Sequence, residues 1–518
     1  MPSARPACPS ASARQRRWLR RFVVRPEAGL ALLWLAFATI AAVRFPWHGL
    51  WHDDAVYVAL GRALAAGDYV LTQLPGSPVE TRYPPLHPAM LAVCWWLGAS
   101  AERPFVFALP GLAVAAFGIV VWGVVLQQHL RLRAAVRTAA IALAVFAPGW
   151  LQVVQCAMAE PWVFTLLPSA LLLLGRTGRG RPLAAGVVLG LAALAKSTAL
   201  VPLLVLAAQL LVRRRWRASL LLVAGGALLQ LPWWWHVAQH GAPSPSVIVR
   251  YYQGYSGLLC HDLATFVELL PERLRDLSCG TVRQAMAFVF TPEVWPSLSA
   301  TVRSGIVGAT GLGAVVLLLV GGWRALRGCL VTGAALALWL VSLVVVDVSW
   351  RYVMPALPVV FALLLRFCGR RWWIAALLFA ALSLPAAFVL LQLEPAHGAR
   401  MWREEVPVAG YAEAAAAVRS LPADAVVATE ADAWLHLVTG RRAVMPSPVV
   451  EHTPCARDGD AFERLCRSEW RRLGVTHALL DPRTGARERE VLLAAWRAGE
   501  FAFVEAGLPC GFVLLERR

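Results

Sequence analysis

The sequence predicts a polytopic α-helical membrane protein with about eleven transmembrane helices and a small C-terminal extracytoplasmic α/β domain. Three observations carry the prediction. The chain of 518 residues is 58% hydrophobic and only 15% charged, with a mean hydropathy of +0.59, where a soluble chain of this length would be far more polar. Long apolar stretches alternate with short Arg-rich loops. Beyond Glu394 the composition changes to short amphipathic and apolar segments.

A net charge of +18 in a soluble chain would point to nucleic acid. Here the arginines sit in short loops between apolar stretches, where membrane topology alone demands them. No basic face with interleaved aromatics is present, which excludes nucleic acid as a partner. Residues 1–27 form a basic N-terminus. No small-residue cleavage site precedes Arg44-Phe45-Pro46-Trp47, so the apolar stretch before it reads as a retained first span and not a signal peptide.

Basic clusters occur at Arg14–Arg25, Arg131–Arg137, Arg176–Arg181, Arg213–Arg217, Arg324–Arg327 and Arg366–Arg371. Placing all six in the cytoplasm orders the spans as 28–45, 104–128, 137–157, 161–175, 182–198, 199–212, 218–238, 298–320, 330–347, 352–366 and 372–391. The membrane domain is then 28–393, with a first outer loop at 46–103 and a long outer loop at 239–297. Within the first outer loop, Ala55–Ala66 reads as a short helix. Pro85–Ala99 is too short to span comfortably and reads as an interfacial helix. The extracytoplasmic domain is 394–518. There Tyr411–Ser420, Trp434–Val438 and Ala461–Leu473 read as helices, and Ala425–Thr429, Ala443–Met445 and His477–Leu480 as strands.

Five of the ten cysteines, Cys260, Cys279, Cys455, Cys466 and Cys510, fall in regions placed outside. The spacings Cys260/Cys279 and Cys455/Cys466 suit two local disulfides in an oxidising compartment, and buried reduced thiols suit them equally. No C-x-x-C pattern suggests a structural metal.

This topology collects the polar groups on one side of the membrane. Asp53 and Asp54, in W-H-D-D-A-V-Y, open the Ala55–Ala66 helix. Capping accounts for one of them; two together with His52 exceed it, and a carboxylate just outside the bilayer can act as general base. Glu160, in C-A-M-A-E-P-W, either starts the next helix with its proline or is a functional ionisable group at the membrane edge. Lys196 is the only lysine in a chain with 49 basic residues. Arg therefore serves wherever a generic positive charge suffices, and the single ammonium either snorkels or binds a phosphate. Arg351-Tyr352 presents a guanidinium at an outer helix entrance, able to hold phosphate oxygens or to pair with Asp347. Arg82, Tyr83 and His87, and Arg250-Tyr251-Tyr252, are further candidates to line the same cavity. Trp233–Trp235 reads as an interfacial belt.

Taken in order, the outer D-D, Y-P-P-L-H-P, A-M-A-E-P-W, G-L-A-A-L-A-K-S-T, L-P-W-W-W and R-Y-V-M-P-A-L-P resemble bacterial GT-C glycosyltransferases. The similarity is to those related to protein O-mannosyltransferases and to the aminoarabinose transferase of lipid A, the glycosyltransferase family 39-like group, and it covers roughly residues 28–391. It implies transfer of a sugar from a polyprenyl-phosphate-linked donor to a glycan, lipid or protein acceptor outside the membrane. It places Asp53 at the catalytic first-loop aspartate and Asp54 at the neighbouring acidic position. Glu160 falls at the second outer-loop acid, and Lys196 and Arg351 near the lipid phosphate. The aminoarabinose enzymes carry Lys before the first-loop proline, where this chain has Tyr83, so the sugar stays open. Some GT-C enzymes hold a divalent metal ion between carboxylates and the mannosyltransferase-like branch in general does not; Asp53, Asp54 and Glu160 suit either design. A lipid transporter or flippase, or a non-catalytic lipid-binding protein, would also bury charge in a helical bundle. Transporters, however, favour internal repeats and midplane broken helices, and no repeat is evident.

Overall fold

The computed structural model describes residues 25–44, 49, 52–176, 178–241, 244–254, 330, 331, 333, 335, 350–374, 376–378, 380, 381, 399, 400, 405, 406, 408–447, 459–480, 486–505 and 512–517. The membrane-directed helices are α1 (Pro26–Arg44), α4 (Phe105–Leu130), α5 (Ala134–Val145), α6 (Pro148–Gln155), α7 (Glu160–Leu174), α8 (Arg181–Ala195), α9 (Leu200–Val212), α10 (Trp216–His240) and α12 (Leu357–Phe367). Two helices of the first outer loop, α2 (Asp53–Ala65) and α3 (Leu86–Trp96), and a short α11 (Val247–Gln253) lie outside this set. Among the described residues three helices, α1, α4 and α10, are long and apolar enough to cross a membrane, or four when the bent pair α5–α6 counts as one. All of the expected span 298–320, most of 330–347 and much of 372–391 lie outside the described residues, as do Asp347, Cys260, Cys279, Cys455 and Cys510.

Apolar side chains face both inward and outward on these helices. On α1, Trp34 and Ala38 are buried while Leu32 and Leu33 are exposed, as suits a helix with protein on one face and lipid on the other. Inside, α8 and α10 approach through glycines. A Cβ on Gly186 would lie 2.0 Å from the Leu222 carbonyl oxygen, and one on Gly225 would lie 2.2 Å from that of Leu183. Gly186 and Gly190 are four apart and so share a face, the small-residue pattern that lets helix backbones meet in a membrane. A buried ion pair ties α1 to α5: Arg137 Nε donates to Glu27 Oε1 at 2.5 Å, joined by Thr138 Oγ1 at 3.1 Å.

Two expected spans are interrupted. Residues 137–157 were expected as one helix, but α5 and α6 meet at a 62° bend. Pro148 supplies no N–H to continue the ladder, and Ala147 before it is extended, at φ −58° and ψ 128°, as residues preceding proline are. The 182–198 stretch stops at Ala195; Lys196 is extended and a 3-10 turn, Ser197–Ala199, follows. In the first outer loop, α3 packs on α2 where Gly61 leaves no room for a side chain. It leaves Trp96 and Leu97 exposed at its far end, consistent with a helix lying at an interface.

The C-terminal elements are a strand pair β1 (Ala399–Arg400) and β2 (Glu405–Val406), then α13 (Val408–Arg419), β3 (Val426–Ala428), α14 (Asp432–Thr439), β4 (Arg442–Val444), α15 (Gly459–Arg472), β5 (His477–Leu480), α16 (Ala486–Arg497), β6 (Phe501–Glu505) and β7 (Val513–Arg517). A five-stranded sheet has the order β4-β3-β5-β7-β6. β3 is parallel to β4 and β5, and β7 is antiparallel to β5 and β6. Val426, Val427 and Ala428 are all buried, as a central parallel strand covered on both faces requires. The buried side chains of this unit and of α2 form one continuous cluster, so outer loop and sheet share a core. A second cluster fills the helical bundle.

The glycine seam gives a stability test. Gly186→Val is expected to force α8 and α10 apart and to cost roughly 1–3 kcal/mol, read as a melting temperature in detergent lowered by several degrees. Gly29→Ala, where nothing lies within 4 Å of the added Cβ, is expected to leave it unchanged or slightly raised.

Candidate active site

Three helix ends and one loop bring the charged groups together. Glu160 opens α7, Lys196 closes α8, Arg351 and Tyr352 lie in a 3-10 turn (Trp350–Tyr352) ahead of α12, and Asp53 opens α2. Each break has a local cause. Pro161 follows Glu160 in the first turn, where a missing N–H costs nothing. Pro355 sits in the 3-10 turn Met354–Ala356 ahead of α12, and Pro358 lies in the first turn of α12. Broken backbone at membrane depth is tolerated where it lines a polar space.

Asp53 is the hub. Its Oδ2 accepts from Arg351 Nη2 at 2.9 Å, across 298 positions of sequence, and its Oδ1 accepts from the Tyr83 hydroxyl at 2.7 Å. Burial alone would raise the carboxyl; Arg351, then Lys196, Arg82 and His52, outweigh it and hold Asp53 well below the usual carboxylate range. Burial keeps the Tyr83 phenol protonated and so a donor. Lys196 Nζ donates to Glu160 Oε1 at 2.5 Å, and both side chains are buried. The Tyr352 ring separates the two cations, 5.2 Å from Lys196 Nζ and 5.8 Å from Arg351 Cζ. The result is a row of charges, Asp53, Arg351, Lys196 and Glu160, with a carboxylate at each end, two cations in the middle and the Tyr352 ring near both cations. Arg351 therefore pairs with Asp53; Asp347, the partner considered from sequence, is not among the described residues.

Arg82 sits between the Tyr83 and Tyr251 rings, 5.1 and 4.7 Å from their centroids, and donates to the Tyr251 carbonyl at 2.8 Å. It is near enough to lower the Asp53 carboxyl. Two sequence candidates make hydrogen bonds outside the row. Asp54 is fully buried, and its Oδ2 accepts from the Gly49 N–H at 2.8 Å. His87 uses both ring nitrogens structurally: Nε2 donates to the Ala157 carbonyl at 2.9 Å and Nδ1 accepts from the Trp162 indole at 3.2 Å. Burial pushes its imidazole down to about 4, so it is neutral and serves as a spacer beneath Tyr57, whose ring it meets edge-on at 4.8 Å.

Among the described residues no group of three or more His, Cys, Asp or Glu side chains is placed to hold a metal ion. Asp53 and Glu160, the carboxylates a divalent ion would bridge, each already hold a cationic side chain. The residues present do not fit a bridging metal.

Two features escaped the sequence reading. Glu80 is fully buried; its Oε1 accepts the backbone N–H groups of Arg82 and Tyr83, and its Oε2 has no partner among the described residues. Burial, only partly offset by those N–H groups and by Arg82, raises its carboxyl to about 7. The second is a polar cluster joining the outer loop to the C-terminal sheet. His52 Nε2 lies 2.9 Å from Asp432 Oδ1 and 3.0 Å from the Tyr252 hydroxyl, and that hydroxyl donates to Asp432 Oδ2. Burial would lower His52; Asp432, with help from Asp53, outweighs it and raises the imidazole above its ordinary value.

By sequence, no protein-family model and no curated protein matches the chain. By structure, it is similar to an oligosaccharyltransferase from Archaeoglobus fulgidus, at 14% identity with a TM-score of 0.52, over 90% of this chain and 71% of that one. The chain has the GT-C fold. A structure of ArnT from Cupriavidus metallidurans bound to undecaprenyl phosphate matches at 18% identity with a TM-score of 0.46, over 98% of both chains. An apo structure of the same protein matches at 19% with the same score. The row of charges lies where α2, α7, α8 and the turn before α12 converge.

Glu80 predicts a pH response. The folded protein holds its proton up to about 7, above the ordinary 4.5, so the folded state binds more protons than the unfolded one between these values. Stability then falls as pH rises through that window. Glu80→Gln is expected to flatten this dependence and to melt above wild type at pH 8; equal melting curves at pH 8 would refute a protonated Glu80.

Proposed function

We propose that the protein moves a sugar from a polyprenyl-phosphate-linked donor to a glycan, lipid or protein acceptor on the extracytoplasmic side of the inner (plasma) membrane. In this reading the N-terminus is cytoplasmic and the residues from about 394 are extracytoplasmic. The observation that carries it is the row Asp53, Arg351, Lys196 and Glu160, two buried cations held by two carboxylates at the convergence of broken helices in a GT-C fold.

The resting pairs suit an anionic donor. A phosphate offers Arg351 a bidentate partner and Lys196 a compact one. As Arg351 turns to the phosphate, Asp53 loses the charge that most depresses its basicity and becomes free to receive the acceptor's hydroxyl or amine proton. The acceptor atom bonds to the anomeric carbon as the bond from that carbon to the phosphate oxygen breaks. The electron pair leaves with the phosphate, whose charge the two cations stabilise. A single displacement of this kind inverts the anomeric centre. Tyr83 keeps Asp53 oriented throughout, and Tyr352 spaces the cations.

Transfer of radiolabelled sugar from undecaprenyl-phosphate hexose and pentose donors, in membranes carrying the protein, tests this. Asp53→Asn is expected to reduce transfer at least 100-fold, and Arg351→Met and Lys196→Met to lose it through weaker donor binding and slower departure. Gel filtration confirms matched folding. No transfer by wild type from any donor, or full transfer by Asp53→Asn, would overturn the reading and favour a lipid transporter.

A further inference from the structure

The cluster around His52 has no part in the chemistry proposed above, yet it touches the hub. His52 is the residue directly before Asp53 and the N-cap of α2, and it is not a glycine although its backbone lies at φ 60° and ψ −55°. That conformation, close to a γ-turn, is rare and strained for a residue with a side chain. It persists only where the surroundings impose it. No side-chain capping bond at His52 holds the helix start. What holds the residue is its ring, pinned at Nε2 by Asp432 and Tyr252.

Asp432 lies 380 positions away, at the first turn of α14, and is fully buried. Tyr252, also fully buried, comes from α11. The same short helix grips the other end of α2, where Arg62 Nη2 lies 2.7 Å from His436 Nε2 and Arg62 Nη1 reaches the Leu437 carbonyl at 3.5 Å. His436 Nε2 also lies 3.0 Å from the Thr72 hydroxyl, and the Ala443 N–H donates to the Gln73 carbonyl. α14 thus clamps α2 at both ends. The residue it strains is the one whose ψ sets the direction of the next residue, Asp53.

We propose that Asp432 is a positioning residue for the site: by pinning the His52 ring it holds residue 52 in its positive-φ conformation and so aims the Asp53 carboxylate at Arg351 and Tyr83. The C-terminal α/β unit is then a working part of the active site, acting through α2. This inference rests on the glycosyl-transfer reading. The groups facing the His52 ring are Asp432 from α14, Tyr252 from α11, Asp53 from α2 and Arg82 from the first outer loop.

A glycine at position 52 separates a backbone role from a chemical one. Glycine adopts positive φ without a side chain to pin it; alanine does not. His52→Ala and Asp432→Asn are each expected to lower kcat for transfer from undecaprenyl-phosphate donors at least 10-fold. The Kd for undecaprenyl phosphate is expected to stay within about 3-fold of wild type, since the cations that would hold it are intact. His52→Gly is expected to exceed His52→Ala at least 10-fold in kcat and to melt above it. Asp432→Glu is expected to recover part of the Asp432→Asn loss. Equal kcat for His52→Gly and His52→Ala, or wild-type kcat for Asp432→Asn, would overturn the proposal while leaving glycosyl transfer standing. A wild type inactive on every donor would instead overturn the glycosyl-transfer reading, and with it this role for Asp432.

Discussion

An ion pair between Asp53 and Arg351 joins the start of the first outer-loop helix to the turn before α12, and the polar architecture follows from keeping both ends partnered. A buried charge without its partner costs about 3–5 kcal/mol. The cost explains why the second cation, Lys196, has its own carboxylate, why Tyr83 satisfies the other oxygen of Asp53, and why an aromatic ring stands between the two cations. None of these groups is spare. A ligand that draws one cation away must therefore present enough negative charge to replace a carboxylate, which a lipid phosphate does and a neutral sugar does not.

The helix breaks are the other half of this economy. α7 begins, α8 ends and α12 is preceded by 3-10 turns at the residues that carry charge. Continuous helices would have hidden the backbone groups of these positions inside the bundle and left the side chains to reach across lipid. Stopping the helices instead turns their ends toward one another. The α/β unit closes the arrangement by sharing its core with α2.

Much of this was legible in the sequence. The edges of α4, α7, α9 and α10 fall within a few residues of stretches bounded by arginine clusters, because hydropathy and basic residues mark where chain enters and leaves an apolar phase. The elements from α13 to β5 were legible as amphipathic helical stretches interleaved with short apolar runs. Asp53, Glu160, Lys196 and Arg351 stood out as charges in apolar surroundings. Their pairing did not, since a sequence shows residue types and not partners 298 positions apart. Asp54 and His87 carried the same signal as their neighbours and were told apart from them only by the partners each side chain hydrogen-bonds. Glu80 drew no notice, since nothing local marks a loop carboxylate beside Arg82 as buried. Asp432 lies in an ordinary-looking helix start, and nothing in its neighbourhood announces His52. The bend at Pro148 could have been read from the proline; the apolar run around it concealed the break.

Because the chain holds a single lysine, it carries one side-chain amine in all. That amine is buried and hydrogen-bonded to Glu160 in the resting protein. An amine-selective acylating reagent can reach it only when the pair parts, so the label acquired by the side chains of the whole protein counts one event at one atom.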